Sequence, residues 1–383
     1  MIDFTPADLP GRRVLFTPGP LTTTRTVKEA MLIDLGSWDV DSIQLVAEIR
    51  AEVLKLLGAR TDYTVTPLQG SGSYAVESIL GSAVPRDGKL LILSNGAYGR
   101  RMELIAKALG LPHAVLTDPE DTPHDPRRVE EALSRDPAVT HVACVHCETT
   151  SGLLNPLREV GLAVGRQGRR FIADVISSFG AYAVGRGQAI DLDAGPIDHL
   201  AVSANKCIEG VPGFALVVSR KDAMERCAGN ARSLSLDLHA QWAHMEKSGQ
   251  FRFTPATHVL LAFRQALREL EREGGIPARA RRYEESHRAL VEGMGRLGFR
   301  AYVPPENQSR IITTFHFPSP EFDFKRFYDQ LHAKGHIIYP GKLTAVPTFR
   351  IANIGSTDRR EVEALLRAIE EVCRAVLPAS ARV

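Results

Sequence analysis

Between Asp41 and Gly58 apolar residues recur at Ile43, Val46, Ile49, Val53, Leu56 and Leu57, and the stretch closes on glycine. A spacing of three and four predicts an amphipathic helix that stops at Gly58. Downstream the pattern changes to short apolar runs: YTVTP, KLLILS, HAVL, VTHVACVH, RRFIAD, HLAVSA and GFALVVS. Amphipathic stretches such as SYAVESILGSAV, RRMELIAKALG and LREVGLAVGRQG lie between most of them. Apolar runs alternating with helical stretches predict an α/β fold, with a mainly parallel seven-stranded sheet covered on both faces. The last two runs are too close in sequence for a helical crossover. They should be antiparallel neighbours, with Lys206 on their connection.

From about Thr254 the pattern is helical, through HVLLAFRQALRELEREGG and RYEESHRALVEGMGRLG. A smaller α+β unit follows: strand RIITTFHF, helix DFKRFYDQLHAKG, strands HIIYPG and TFRIAN, and helix DRREVEALLRAIEEVCRAVL. The expected organisation is an N-terminal arm over 1–25, a large domain over 26–284 and a small C-terminal domain over 285–383. The basic stretch ARARRYEESHR is interleaved with acids and reads as a solvated helix face.

Charge narrows the function classes. Forty-seven basic residues against 45 acidic ones leave a net charge of +2, so no global field favours nucleic acid or an acidic membrane. No run approaches the ~18 apolar residues of a spanning helix. MIDFTPADLPGRR has acids and prolines where a secretory leader would carry an apolar stretch. Five scattered cysteines suit reduced thiols, so the expected compartment is the cytoplasm. Cys144 and Cys147 form a lone CxxC inside an apolar run. In a strand, positions i and i+3 face opposite ways, so no metal site is expected there.

Three segments carry candidate chemistry. TPLQGSGSYAVESIL (66–80) reads as a strand, a glycine-rich turn and a helix, which aims free backbone N–H groups at an anion. Ser71 and Ser73 add hydroxyls beside Gly72. Gly70, Gly72 and Ala75 fit the dinucleotide fingerprint literally, but the next strand ends in Ser94 and Asn95 where that fold needs an acid. No G-K-[ST] follows, so a simple phosphate group is the better ligand. Asp174 closes the run RRFIAD, and Lys206 follows HLAVSA. Pyridoxal 5′-phosphate needs a lysine for its aldehyde, an acid for its ring nitrogen and a phosphate cradle. All three occur here, each at a strand end. A lysine crowded into such a site loses proton affinity and can react near neutrality. Tyr98, after KLLILS, could stack on the ring, and Thr149 could reach the ring hydroxyl. Thr150 and Ser151 remain alternatives to Thr149.

VSANKCIEGVPGF, ADVISSFGAY, GSGSYAVES, SNGAYGRR and HCETTSGLLNP resemble the fold-type I, class V aminotransferases. LFTPGPLTTTRTVKEAML, ARSLSLDLHAQW and FRIANIG resemble, more closely, a branch of that family whose amino donor is 2-aminoethylphosphonate and whose acceptor is pyruvate. The alternative is an alanine– or serine–glyoxylate type. The resemblance runs from about Val14 to Val372. It implies a homodimer with active sites at the subunit interface, Lys206 as the cofactor-holding lysine and Asp174 on the ring nitrogen. It also implies Ser71, Gly72 and Ser73 around the phosphate, joined by Thr254 from the neighbouring subunit, with Arg350 on the substrate anion. A phosphonate has one acceptor oxygen more than a carboxylate. The segment Thr17–Thr26, with Gly19 allowing a close backbone approach, is the expected source of further donors. Ser73 stands where the family usually has threonine, and Ala352 where it has glycine.

Overall fold

The computed structural model describes residues 13–193, 195, 197–343 and 346–376. Residues 1–12 of the arm expected over 1–25 lie outside the described residues. Seven strands form the central sheet: β1 (Tyr63–Gln69), β2 (Lys89–Ser94), β3 (His113–Thr117), β4 (Val139–Val145), β5 (Arg170–Asp174), β6 (Ile197–Ser203) and β7 (Phe214–Arg220). Their spatial order is β1-β7-β6-β5-β4-β2-β3. β7 is antiparallel to both β1 and β6, and the other pairings are parallel. The mainly parallel seven-stranded sheet and the antiparallel last pair are therefore as the sequence predicts.

These strands read as continuous apolar runs because both faces are covered. On β4, Val142 and Cys144 enter one core while Ala143 and Val145 enter the other. Helix α1 (Val40–Leu56) buries Leu45, Val46, Ile49 and Val53. Ile43 and Leu56, both expected on its buried face, are only half-buried, and Leu45 takes a place there instead. β4 stops at Val145, so strand alternation does not reach Cys147. Contrary to expectation, Cys144 and Cys147 belong to the same core, and burial pushes the Cys147 thiol up to about 12. Among the described residues no group of acids, histidines and cysteines is arranged to hold a metal, and no helix is long and apolar enough to cross a membrane.

A third core gathers Val14 and Phe16 with Leu290, Met294, Phe315, Phe349 and residues of the last helix. Val14–Leu15 pairs in parallel with His336–Ile337, so the start of the described chain is built into the C-terminal unit. The helix Gly275–Arg296 begins in the first core with Ile276 and Tyr283 and ends in the third with Leu290 and Met294. The boundary expected at 284/285 falls in the middle of it.

Sheet order fixes where a ligand can sit. From β2 the chain steps outward to β3, then returns to place β4 on the other side of β2. Open α/β sheets bind ligands beyond the carboxyl ends of the strands at such a reversal. Ser94, Val145 and Asp174 end the strands there, and the turn carrying Lys206 follows β6.

Candidate active site

Five chain segments converge on one cavity of about 180 Å³, lined among others by Ser71, Gly72, Ser73, Tyr98, Val145, Cys147, Asp174 and Lys206. Helix α2 (Gly72–Ala83) opens on this cavity, with Ser71 extended at its N-cap and its hydroxyl not used as a cap. Gly70 has a φ of +105°, which sets the sharp turn into the helix. A Cβ on Gly72 would lie 2.5 Å from Ile176 Cδ1, so any larger residue there would force the Ile176 side chain to move.

Asp174 ends β5 and accepts the Ile176 N–H at 2.9 Å. Burial raises its pKa to about 7, and the nearby Glu148 adds to the effect. Lys206 lies on the turn between β6 and β7, with its amine donating to the Pro18 carbonyl. Burial lowers its pKa to about 8, and the Arg350 charge pushes the same way. Gly19, at φ +127°, packs directly on that amine: a Cβ there would lie 2.3 Å from Nζ. Burial thus weakens the proton affinity of the lysine and strengthens that of the carboxylate in one cavity.

Tyr98 sits in the first turn of helix α3 (Ala97–Ala108). Thr149 Oγ1 donates to its hydroxyl at 3.3 Å. Thr150 turns instead to Glu148 Oε2 at 2.9 Å, and the Ser151 hydroxyl is buried without a partner. Of the three neighbours it is Thr149 that meets Tyr98. Arg350 enters from the C-terminal unit on the strand Thr348–Ala352, fully buried. Its Nε donates to the Pro340 carbonyl at 3.0 Å and its Nη1 to the Thr149 carbonyl at 3.1 Å, while Tyr339 lies 5.9 Å from its carbon. Thr254 does not line the cavity of its own chain. It is exposed, and its carbonyl accepts from Gln69 Nε2. Ala352 is buried and donates its N–H to the Phe16 carbonyl at 3.0 Å.

Sequence reasoning missed several polar groups here. Glu148 is completely buried, and its Oε1 accepts the N–H groups of Tyr98 (2.8 Å) and Gly99 (3.0 Å) at the start of α3. Its carboxylate replaces the missing helix cap, although burial still raises its pKa. Gly96 carries the trace of this contact, since a Cβ there would meet the carboxylate at 2.5 Å. Arg101 and Asn205 also line the cavity. A second buried network fixes the Lys206 turn: Glu209, at φ +67°, accepts from Arg282 Nη2 at 2.7 Å and Tyr283 Oη at 2.5 Å.

The Aminotransferase class-V family profile matches residues 34–374. The 2-aminoethylphosphonate–pyruvate transaminase of Pseudomonas aeruginosa is 47% identical over 362 residues, covering 94% of this chain and 96% of that protein. The protein of the same name from Aeromonas hydrophila is 51% identical over 366 residues, covering 94% of this chain and 95% of its own. Among solved structures, alanine–glyoxylate aminotransferase from Nostoc sp. superposes with a TM-score of 0.88 at 23% identity, covering 97% of this chain and 98% of that one. Ureidoglycine–glyoxylate aminotransferase from Bacillus subtilis gives 0.87 at 21%, covering 97% and 95%. These likenesses carry the fold, and the profile match over most of the chain carries the family. The chain belongs to the class-V aminotransferases.

Proposed function

We propose that this protein is a pyridoxal 5′-phosphate-dependent transaminase that moves the amino group of 2-aminoethylphosphonate to pyruvate, giving phosphonoacetaldehyde and L-alanine. The observation that carries the reading is the meeting of Lys206 and Asp174 in one cavity with the Ser71–Ser73 cradle. The residues present fit the cofactor. Asp174 is a buried carboxylate with no ion-pair partner among the described residues, and a protonated ring nitrogen answers that need. The start of α2 offers backbone N–H groups and two hydroxyls to a phosphate, and Tyr98 offers a ring face.

When bound, the cofactor supplies an aldehyde for the amine and a conjugated ring that withdraws electrons from the substrate carbon. Lys206 Nζ would hold that aldehyde covalently, at the place where the substrate amine would take its position. The same Nζ would then move the proton at the substrate carbon, a task suited to an amine whose pKa burial lowers to about 8. Asp174 keeps the ring-nitrogen proton in place through a charge-assisted bond. Tyr98 would face the ring, with Thr149 bonded to its hydroxyl. Arg350 offers a planar fork that fits a phosphonate or a carboxylate, so one pocket serves both half-reactions. Gly19 brings the 17–26 backbone against the same amine, where its N–H groups can meet the third phosphonate oxygen.

The two relatives of that name, at about half identity over nearly the whole chain, support the phosphonate substrate over an alanine– or serine–glyoxylate reaction. Leu32, Ile33, Trp38 and Val40 are exposed within nine residues, Trp38 to 83%, and Thr254 is exposed as well. An apolar surface of this kind supports a homodimer whose partner supplies Thr254 to the cradle. Borohydride reduction followed by peptide mapping tests the cofactor site, with the reduced pyridoxyl group expected on Lys206. A coupled assay comparing 2-aminoethylphosphonate with alanine and serine as donors tests the substrate. Label on another lysine, or preference for alanine or serine, overturns the corresponding half of the reading.

A further inference from the structure

Arg101 lies one helical turn beyond Tyr98 on α3, and both side chains line the cavity. Its guanidinium carbon lies 4.9 Å from the centre of the Tyr98 ring, and its Nη1 donates to Ser73 Oγ at 2.9 Å. Among the described residues it has no carboxylate within ion-pair distance. Its charge is felt in the cavity instead, lowering the proton affinity of both Asp174 and Lys206.

Two of these contacts have a chemical consequence. A hydroxyl oxygen that accepts a hydrogen bond from a guanidinium turns its own proton away, toward another acceptor. Ser73 stands in the first turn of α2, so that acceptor is an anion held at the helix start. Arg101 and Lys206 are also the two cations among the residues lining the cavity. Lys206 is committed to the cofactor's aldehyde, which leaves Arg101 as the fixed positive charge beside the cradle.

We infer that Arg101 is a binding residue for the phosphate of the cofactor: it orients the Ser73 hydroxyl and places a cation beside the dianion. This rests on the cofactor reading proposed above. The experiment titrates cofactor-free wild type, Arg101→Gln, Arg101→Lys and Ser73→Ala with pyridoxal 5′-phosphate and, separately, with pyridoxal, which lacks the phosphate. Binding is read by absorbance and by quenching of intrinsic fluorescence. Losing a charge-assisted contact weakens binding by roughly 10- to 100-fold. Arg101→Gln should lose that much for pyridoxal 5′-phosphate and less than twofold for pyridoxal, with Arg101→Lys in between. Adding Ser73→Ala to Arg101→Gln should cost less than it does in wild type, since the two residues act through one contact. Unchanged phosphate-ester binding in Arg101→Gln, an equal loss for both ligands, or additive losses overturns the inference while leaving the cofactor reading intact. A wild-type protein that takes up neither ligand overturns both.

Discussion

Asp174→Asn in the cofactor-free protein isolates the cost of keeping a carboxylate in this cavity. The side chain is 6% exposed and accepts one backbone N–H, and burial raises its pKa from the ordinary 3.8 to about 7. The fold therefore holds this proton far more tightly than the unfolded chain does. Stabilisation is complete below about pH 3.8 and is lost as the pH rises toward 7. Each tenfold change in proton affinity is worth ~1.4 kcal/mol, so ionisation costs the empty fold up to about 4 kcal/mol. Asparagine has the same shape and cannot ionise. Its stability relative to wild type should rise by up to about 4 kcal/mol between pH 4 and pH 7.5. Four buried histidines (His124, His141, His146 and His199) and the half-buried His287 have their pKa values pushed down to between about 3 and 4 by burial and act in the opposite direction. They act equally in both proteins, so the difference between the two isolates Asp174. Lys206, lowered to about 8, stays mostly protonated across this window. Urea midpoints of the two cofactor-free proteins at pH 4.5, 6 and 7.5 give the measurement. A difference that does not change with pH would refute the argument, because Asp174 would then ionise in the cavity as readily as in water. With cofactor bound the sign reverses: the carboxylate gains a cationic partner, and Asp174→Asn should bind cofactor more weakly and lose most of its activity.

Three further substitutions probe the surroundings. Gly19→Ala places a Cβ 2.3 Å from Lys206 Nζ at a φ of +127°, so kcat/KM should fall by about tenfold or more, a ~1.4 kcal/mol effect, in steady-state kinetics. An unchanged value would mean that the 17–26 segment stands clear of the amine in the working enzyme. Arg350→Lys replaces a fork by a point charge and should lower the specificity constants for both 2-aminoethylphosphonate and pyruvate by ~1.5–3 kcal/mol; if both survive, the anion pocket lies elsewhere. Glu209→Ala removes the shared acceptor of Arg282 and Tyr283 beside the buried Arg279, and should destabilise the protein by ~3 kcal/mol in urea unfolding. A loss below about 1 kcal/mol would mean that Glu273 alone can hold both arginines.

The strands were legible because each is buried on both faces, and that environment writes itself as an uninterrupted apolar run. Their order was not, since nothing local tells β7 to insert between β1 and β6. The antiparallel sense of β6 and β7 could be read only because the intervening chain is short. Val14–Leu15 escaped notice for a different reason: two residues carry no period, and its partners stand at His336 and Ile337. The boundary expected at 284/285 falls inside the helix Gly275–Arg296. A helix that packs one end on each of two cores shows a single unbroken periodicity, so composition offers no place to divide it.

At the site, visibility followed chemical type. Lys206 and Asp174 stood out because a lone cation after an apolar strand, or a lone acid ending one, has no ordinary reason to be there. Glu148 is just as buried, yet in HCETTSG it reads as one more polar residue of a loop. What it costs and what it does both depend on partners some 50 residues away, the N–H groups of Tyr98 and Gly99. The same holds for Arg101, an unremarked basic residue on a helix until its contact with Ser73, 28 residues earlier, is seen. Such residues still leave a trace in their neighbours. At Gly96 a side chain would strike the buried Glu148 carboxylate, and at Gly72 one would push on the Ile176 side chain. In a sheet whose loops all meet at one edge, a glycine just after a strand marks where another segment's side chain arrives. Searching for the polar residue that each such glycine admits would have led from SNGAYG to Glu148.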